Sequence, residues 1–279
     1  MKICLYVAFS ALIPARETLL DKLNNLVIAD EKHRMYKTQS IDHILQSLKK
    51  AGVDGFQLRV SNIISGNDIK EIKNIVKEHN MSILSVHQSN NNVFNIALSE
   101  IQRLCDIANN FPAGIITLHS DAIGNKLFDK EFIQELKNLQ EKHGIKFGIE
   151  NMPKSPFSIF KTYTYNTNEF SSVVNNAGLS MTLDTTHLAQ TKGDICEFYK
   201  KNKEKIVNIH ISDYKRHWLN KKLLLANGTH LSLNEGELPI DKLLETLKEE
   251  NYQGLITMEI NADLNKLCQS AEIIKNALK

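Results

Sequence analysis

The sequence predicts an α/β protein, built as a single (β/α)8 TIM barrel over residues 1–279. Eight short apolar runs recur along the chain, most of them are followed by a longer segment with helical periodicity, and no Gly-x-Gly-x-x-Gly turn follows the first run. A doubly wound open sheet is the alternative, but its nucleotide-binding forms carry such a turn after the first strand. One barrel suits a chain of 279 residues, because barrels often reach this size as one domain.

The predicted strands are too short for helices, and their apolar residues are continuous enough for burial on both faces of a sheet. In chain order they are Ile3–Ala8, Gly55–Val60, Ser82–His87, Gly114–His119, Lys146–Glu150, Ser180–Asp184, Ile206–Ile211 and Leu255–Ile260.

The predicted helices lie between and after these strands. They are Ile41–Lys50, Asn67–His79, Asn95–Asn109, Lys130–Lys142, Thr167–Asn176, Asp194–Lys203, Ile240–Asn251 and Asp263–Leu278. Amphipathic spacing is clear in several of them; Ile41, Ile44, Leu45 and Leu48, for example, fall on one helix face. The segment after the first strand is long, so we expect an extra helix near Glu17–Ala29 over the active-site face.

Charge and composition argue against several classes of protein. The 34 Lys and Arg residues against 32 Asp and Glu residues do not indicate a nucleic-acid partner. The four cysteines form no Cys-x-x-Cys pair, so neither a disulfide framework nor a thiolate zinc site is expected. No apolar run reaches the ~20 residues of a membrane span. The apolar start suits a buried strand better than a signal peptide, so we expect a cytoplasmic protein without a membrane partner.

Six consecutive predicted strands carry a histidine or an acid at or near their carboxyl ends. These residues are His87, His119, Glu150, Asp184, His210 and Glu259. In a barrel the carboxyl ends of the strands meet at one mouth, where active sites are built. A single residue of this kind is usually structural, but six together would repel or desolvate one another unless a cation organised them.

Four of these residues form a candidate metal site. Glu150, Asp184, His210 and Glu259 offer three carboxylates and one imidazole on successive strands. A mostly oxygen set with one nitrogen suits Mg, Mn, Co or Zn. We therefore predict one divalent metal ion and no organic cofactor. Such an ion would polarise a substrate carbonyl and its neighbouring hydroxyl.

Three more histidines are associated with this set in the sequence. His87 and His119 end the third and fourth strands, and His187 follows Asp184 by three residues. They would bind the substrate or additional metal ions, and the pattern of residues leaves both interpretations open.

Several segments resemble the xylose-isomerase-like, AP-endonuclease family 2 barrels, and the resemblance covers nearly the whole chain. The segments are GVDGFQLR (52–59), ILSVH (83–87), IITLHSD (115–121), FGIENMP (147–153), SMTLDTTHLAQ (180–190), VNIHISDYK (207–215), HLSLNEGELPI (230–240) and GLITMEI (254–260). In the isomerase and epimerase branch of that family, one divalent metal is held at the positions that match Glu150, Asp184, His210 and Glu259.

This resemblance implies a sugar isomerase or epimerase of carbohydrate metabolism that works through a cis-enediolate. Glu150 and Glu259 are then the catalytic residues, which take and return a proton on opposite faces of the substrate. His187 matches a substrate-contacting histidine, and Arg216 matches the spacing of a substrate-contacting arginine. The implied substrate-binding residues are His87, His119, His187, Asp213 and Arg216. The expected partner is a small sugar or sugar acid, and the resemblance also allows a homodimer.

Two alternatives stay open. Endonuclease-IV-type enzymes of the same family hydrolyse abasic DNA with three zinc ions, whose ligands map onto His87, His119, Glu150, Asp184, His187, His210, His230 and Glu259. That family has Asp-x-His where this chain has Gly228, Thr229 and His230, so one zinc ligand is missing. The near-neutral charge also argues against a DNA substrate. The other alternative is a non-catalytic barrel that kept the ligands as a sensor or assembly partner.

Overall fold

Eight parallel strands close into a barrel with helices between them, which confirms the predicted fold class. The computed structural model describes residues 1–8, 12, 39–60, 64–88, 96–153, 167–216 and 228–279, so the helix expected near Glu17–Ala29 lies outside the described residues. The strands are β1 (Lys2–Ala8), β2 (Gly55–Arg59), β3 (Ser82–His87), β4 (Ile115–His119), β5 (Lys146–Glu150), β6 (Ser180–Asp184), β7 (Ile206–Ile211) and β8 (Leu255–Met258). Each strand pairs with the next, and β1 pairs with β8.

The described helices cover the outside of the barrel. They are α1 (Ile41–Ala51), α2 (Gly66–Glu78), α3 (Leu98–Ala108), α4 (Ser120–Ile123), α5 (Lys130–His143), α6 (Thr167–Ala177), α7 (Thr185–Gln190), α8 (Ile195–Asn202), α9 (Ile240–Glu249) and α10 (Leu264–Ala277), with a 3-10 helix at Gly124–Phe128. The sequence did not predict α4 and α7, because helices of 4 and 6 residues are too short to show a helical period. Within the described ranges, no helix is long and apolar enough to cross a bilayer.

Local side-chain chemistry sets the helix boundaries. The Ser65 hydroxyl accepts a hydrogen bond from the Asp68 N–H, and the Asp68 carboxylate accepts one from the Ser65 N–H, so a capping box begins α2. Gly52 ends α1 with φ +107°, a conformation that favours glycine. Ile44 and Leu48 of α1 are fully buried. The helical period of apolar residues therefore decides which face of each helix covers the barrel.

The barrel interior below the mouth carries a polar layer. Its buried members are Gln57, Ser85, Thr117, Thr182, Asn208 and Thr257. Gln57 Nε2 donates a hydrogen bond to Thr117 Oγ1 over 3.0 Å, and Thr117 Oγ1 lies 3.2 Å from Thr182 Oγ1. Each member comes two positions before a residue at the mouth, and side chains two positions apart on a strand point to the same side. The polar layer therefore lies directly beneath the candidate site.

Candidate active site and metal centre

The carboxyl ends of the eight strands place polar side chains together at the mouth of the barrel. In strand order these are Tyr6, Arg59, His87, His119, Glu150, Asp184, His210 and Glu259. Glu259 comes directly after the last residue of β8. The six side chains that the sequence predicted to converge therefore do so, although their functional roles stay predictions.

Glu150 lies at the centre of the site among four imidazoles. Its carboxylate oxygens lie 3.1 Å from His210 Nδ1, 3.3 Å from His87 Nε2, 3.4 Å from His187 Nδ1 and 3.5 Å from His119 Nε2. Burial alone would raise the pKa of Glu150, but the charge of His210 and hydrogen bonds from His187, His210 and His87 hold the pKa well below its usual range. Glu150 is therefore a carboxylate at neutral pH.

Three carboxylates surround the Nδ1 atom of His210. The nearest oxygens of Glu259, Glu150 and Asp184 lie 2.7, 3.1 and 3.9 Å from it. Ligand atoms of all four residues lie within 4.8 Å of one another. Among the described residues, Asp184 Oδ2 is buried and finds no hydrogen-bond partner, and the Glu259 carboxylate lies against the shared His210 imidazole. Unpaired buried oxygens are costly, so this donor set fits a divalent cation that would satisfy them.

The acids also increase the basicity of two imidazoles. Burial would lower the pKa of His210, but the charges of Glu150 and Glu259 raise it well above its ordinary value. Burial acts in the same direction on His187, yet Asp184 and Glu150 raise the pKa of His187 to about 9. Without a metal ion, both imidazoles therefore carry a proton at neutral pH. A divalent cation among the carboxylates would replace this positive charge.

The histidines of β3 and β4 have a different environment. His87 Nδ1 donates a hydrogen bond to the backbone carbonyl of Gln88 over 2.7 Å, which directs its Nε2 at Glu150. Burial lowers the pKa of His119 to about 3, despite the opposing charge of Glu150. The two rings meet edge to face with centroids 4.9 Å apart. His119 is therefore neutral, and a neutral imidazole both donates to and accepts from a substrate hydroxyl.

A second group of ligand-type atoms adjoins the first. Asp184, His187 and His230 each offer an atom within 4.8 Å of the others. His230 Nδ1 lies 3.1 Å from the backbone carbonyl of Glu259 and 3.3 Å from Ser212 Oγ. The backbone of His230 has φ 52°, an uncommon conformation for a residue with a side chain. Thus His230, which the sequence linked only to the nuclease alternative, lies at the edge of the site.

Asp213 binds backbone amides beside the site. It is 1% exposed, and its Oδ1 accepts hydrogen bonds from the N–H groups of Tyr214 and Leu238 over 2.7 and 3.0 Å, while Oδ2 accepts one from Gly236 over 2.8 Å. A Cβ atom on Gly236 would lie 2.2 Å from Asp213 Oδ1, so only glycine allows this approach. These contacts tie the segment that carries His230 to the end of β7. The predicted substrate contact of Asp213 stays a prediction.

Arg216 also stays a prediction as a substrate-binding residue. It is exposed and adjoins residues 217–227, which lie outside the described residues.

The sequence analysis missed two residues at the mouth, Tyr6 and Arg59. The Tyr6 and His87 rings meet edge to face with centroids 5.1 Å apart. The Arg59 Cζ lies 6.0 Å from the Tyr6 ring centroid. The alternation of side chains along β2 could have revealed Arg59, since it lies two positions after the polar residue Gln57 and therefore on the same face of the strand.

Comparison with known proteins identifies the family. The family model described as xylose isomerase-like TIM barrel, AP endonuclease 2, matches residues 45–279. The chain belongs to this family. A curated relative, the uncharacterized protein MJ1311 of Methanocaldococcus jannaschii, is 28% identical over 167 residues, which are 56% of this chain and 50% of that protein. The chain therefore matches half the length of this curated relative.

Solved structures share the fold over most of the chain. A D-tagatose 3-epimerase-like protein has a TM-score of 0.67 at 19% identity, covering 100% of this chain and 97% of its own. The D-psicose 3-epimerase of Clostridium cellulolyticum H10 with D-tagatose has a TM-score of 0.65 at 14% identity, and the match covers 100% of this chain and 98% of that chain. A xylose isomerase-like TIM barrel protein of Mycobacterium smegmatis in complex with magnesium has a TM-score of 0.61 at 16% identity, and the match covers 87% of this chain and 92% of that chain. At these identities the likeness establishes the fold alone.

Proposed function

We propose that the protein is a divalent-metal-dependent isomerase or epimerase of a small hydroxy-carbonyl compound, a sugar or a sugar acid. The observation that carries the proposal is the convergence of Glu150, Asp184, His210 and Glu259, with ligand atoms within 4.8 Å of one another. Two similar folds support it, since their names describe an epimerase-like protein and an epimerase with D-tagatose. A third, in complex with magnesium, supports a divalent ion.

The four converging residues would hold one ion of Mg, Mn, Co or Zn. When bound, this ion supplies Lewis-acid polarisation of adjacent carbonyl and hydroxyl oxygens, which acidifies the C–H group beside the carbonyl. Among the described residues, Asp184 and His210 are fully buried and thus held firmly in place. Asn151 helps to fix Asp184, because its side chain accepts a hydrogen bond from the Asp184 N–H over 2.7 Å and donates one to the Asp184 carbonyl over 3.0 Å.

Glu150 and Glu259 would move the proton. Both carboxylates have pKa values below the usual range, because the charge of His210 outweighs the effect of burial, so both are ionised and able to accept a proton. They reach His210 from strands on either side of it, β5 and β8. One would remove the proton from the carbon beside the carbonyl and the other would return a proton to the opposite face, which is epimerisation. Transfer along one face gives aldose–ketose isomerisation.

The histidines around Glu150 would orient the substrate. His119 is neutral and suits hydrogen bonds with hydroxyl groups. His187 Nδ1 lies 3.1 Å from the backbone carbonyl of Asn151 and 3.4 Å from Glu150, so its ring is fixed on the β5–β6 side of the mouth. His87 is held by its hydrogen bond to Gln88. Positioned donors of this kind hold the reacting carbon against the carboxylates.

Hydrogen exchange at the reacting carbon tests this function directly. A panel of aldoses, ketoses and sugar acids is incubated with the Mn²⁺-loaded protein in D2O, and deuterium at the carbon beside the carbonyl is followed by NMR. We expect metal-dependent incorporation with at least one compound. It is lost in Glu150→Gln and Glu259→Gln and kept in Glu245→Gln, an exposed control on α9. A metal-loaded protein that exchanges no proton in any compound would contradict the proposal and favour the non-catalytic alternative.

A second candidate is a zinc-dependent AP endonuclease. The observation that favours it is the presence of two further groups of ligand-type atoms, one formed by His87, Glu150 and His210 and the other by Asp184, His187 and His230. Gly228 occupies the position of the aspartate that the nuclease pattern requires. Metal counting separates the candidates: one equivalent per chain supports the isomerase, whereas three zinc ions with cleavage of abasic duplex DNA support the nuclease.

A further inference from the structure

Two amide side chains continue the pairing of the strands beyond the ends of β3 and β5. Gln88 directly follows β3, and Asn151 directly follows β5. The N–H of Gln88 donates to the carbonyl of Thr117 on β4 over 3.1 Å, and the N–H of Asn151 donates to the carbonyl of Thr182 on β6 over 3.4 Å. The two positions therefore occupy the same place in their parallel ladders.

The next bond of each ladder goes to the side chain and not to the backbone. In a regular parallel pair, an N–H further along the neighbouring strand would donate to the backbone carbonyl of Gln88 or Asn151. Here the N–H of His119 donates to Gln88 Oε1 over 3.0 Å, and the N–H of Asp184 donates to Asn151 Oδ1 over 2.7 Å. Each amide oxygen thus replaces the backbone carbonyl of its own residue.

Each carbonyl that is released from its ladder accepts a hydrogen bond from an imidazole. His87 Nδ1 donates to the Gln88 carbonyl over 2.7 Å, and His187 Nδ1 donates to the Asn151 carbonyl over 3.1 Å. A carbonyl oxygen only accepts, so the Nδ1 atom of each ring is the donor and its Nε2 atom faces away from the carbonyl. One amide residue therefore fixes both the start of a neighbouring segment and the direction of a histidine ring.

Around Asn151 these bonds close a ring. Its side chain pairs with the Asp184 backbone, the Asp184 carboxylate accepts the N–H of His187 over 2.6 Å, and the His187 ring returns to the Asn151 carbonyl. Asn151 is 5% exposed, so water competes little for these bonds. Asp184 is a predicted metal ligand, and residues that hold a metal ligand through hydrogen bonds contribute to metal affinity.

Gln88 holds two residues that are not among the four predicted metal ligands, His87 and His119. It is fully buried, and its Nε2 atom has no hydrogen-bond partner among the described residues, so the oxygen alone makes the contact. Both histidines are predicted to bind the substrate. The two amides therefore use one bonding pattern to support different groups of the mouth.

We propose that Asn151 and Gln88 are positioning residues. Each side-chain amide replaces the backbone carbonyl of its own residue in the strand ladder and so frees that carbonyl to orient an imidazole. Asn151 supports metal binding through Asp184, whereas Gln88 supports the histidines of β3 and β4. The inference rests on the proposed function for the roles of these groups, but the orientation of the imidazoles needs no turnover.

Imidazole N–H signals in ¹H–¹⁵N NMR spectra of the metal-free protein test the orientation. In the wild type we expect slowly exchanging Nδ1–H signals from His87 and His187. Asn151→Leu and Gln88→Met keep the approximate shape of the side chain but remove the amide, so the N–H of the next strand takes the backbone carbonyl and displaces the imidazole. Asn151→Leu should lose the His187 signal alone, and Gln88→Met should lose the His87 signal alone.

Two further variants show whether the amide oxygen is the group that matters. Gln88→Glu keeps an acceptor oxygen and retains the His87 signal. Asn138→Leu removes an exposed amide from α5 and leaves both signals as in the wild type. Circular dichroism shows that each variant folds. A wild type with neither signal would overturn the proposal, and so would amide-free variants that keep both signals or lose both together.

The affinity for Mn²⁺ separates the two amides. In calorimetric titration, Asn151→Leu weakens Mn²⁺ binding by about 10- to 100-fold, because Asp184 loses its support. Gln88→Met changes this affinity less than about threefold, because Gln88 holds no metal ligand, and Asn138→Leu behaves as the wild type. Equal affinities in Asn151→Leu and the wild type would overturn the proposal, and so would equal losses in Asn151→Leu and Gln88→Met.

Deuterium exchange by the wild type distinguishes this inference from the proposed function. The expected losses of imidazole signals and Mn²⁺ affinity, without exchange in any compound of the panel, would contradict only the proposed function. Exchange by the wild type, with both imidazole signals unchanged in Asn151→Leu and Gln88→Met, would contradict only this inference.

Discussion

The two halves of the barrel mouth share one fold but carry different chemistry. Strands β5 to β8 supply Glu150, Asp184, His210 and Glu259, whereas β1 to β4 supply Tyr6, Arg59, His87 and His119. Among these eight mouth residues, all the carboxylates come from the β5–β8 half. Parallel pairing and closure are the same around the barrel. The difference therefore arises from side chains, and under the proposed function it would place cation binding in the β5–β8 half.

The pKa values of the histidines also differ between the two halves of the mouth. His187 and His210, which lie among the acids, have raised pKa values, whereas burial lowers the pKa of His119 on β4. Glu150 lies on the boundary, since it contacts His87 and His119 from one half and His210 from the other. We therefore expect Glu150 to link metal binding to substrate orientation.

The largest expected effect is the loss of a catalytic carboxylate. Glu150→Gln and Glu259→Gln each lower kcat by about 10²–10⁴-fold, because a positioned acid or base typically contributes that much. Steady-state turnover of the best compound from the exchange panel measures this, with circular dichroism to show that the fold is kept. Near-normal turnover of either variant would exclude that residue from proton transfer.

The next largest effect is on metal affinity, which should differ between variants in the two halves of the mouth. Asp184→Asn weakens Mn²⁺ binding by about 100-fold or more, because it removes a charged donor from a buried site, and loss of a residue that merely supports a ligand already costs about 10–100-fold. His119→Gln changes Mn²⁺ affinity less than about tenfold. Calorimetric titration of metal-free protein measures both. Equal losses in the two variants would contradict the assignment of cation binding to the β5–β8 half.

A third prediction concerns the support of that half by Asp213. Asp213→Asn lowers the free energy of unfolding by about 2–4 kcal/mol, because its new N–H2 group faces backbone N–H donors. Urea unfolding measures the loss. The matched control is Asp129→Asn, at the exposed N-cap of α5, where Asn caps as well as Asp and little change is expected. Equal stability of the two variants would show that the Asp213 contacts contribute nothing to the fold.

The smallest effect is the pH dependence of stability without metal. His187 has a pKa raised to about 9 in the folded chain against about 6.5 when unfolded, so its contribution is complete below about pH 6.5 and is lost as the pH rises through 9. The depressed pKa values of Glu150 and Glu259 act at acidic pH, outside this window. Chelator-treated protein should therefore lose a few degrees of Tm between pH 6.5 and 9. A Tm that rises over this range would contradict the raised pKa.

Most of the fold follows from the sequence because apolar runs and helical periods are local signals. Four predicted strand ranges match the observed ones and the other four differ by one or two residues, and the largest helix difference is a start at Leu98 where Asn95 was predicted. The short helices after β4 and β6 escaped prediction, because a single turn carries no period. Their positions depend on the closed barrel, for instance on the Asp184 side chain that caps α7.

The candidate site was predictable only in part. Histidines and acids at strand ends are easy to recognise in the sequence. Once a closed parallel barrel is predicted, their convergence at its mouth follows. Tyr6 and Arg59 were missed because tyrosine and arginine on a strand usually have ordinary packing roles, and only the register and the contact with His87 show that they lie at the mouth. The role of Asp213 depends on the close approach of Gly236 from 23 residues along the chain, which no local pattern encodes.

Crystallographic anomalous scattering from Mn²⁺-soaked protein tests the central claim most directly. We predict one strong anomalous peak within bonding distance of Glu150, Asp184, His210 and Glu259, and no equivalent peak in Asp184→Asn crystals. A saturated wild-type crystal with no peak among these four side chains, or with its strongest peak between His187 and His230, would contradict the account.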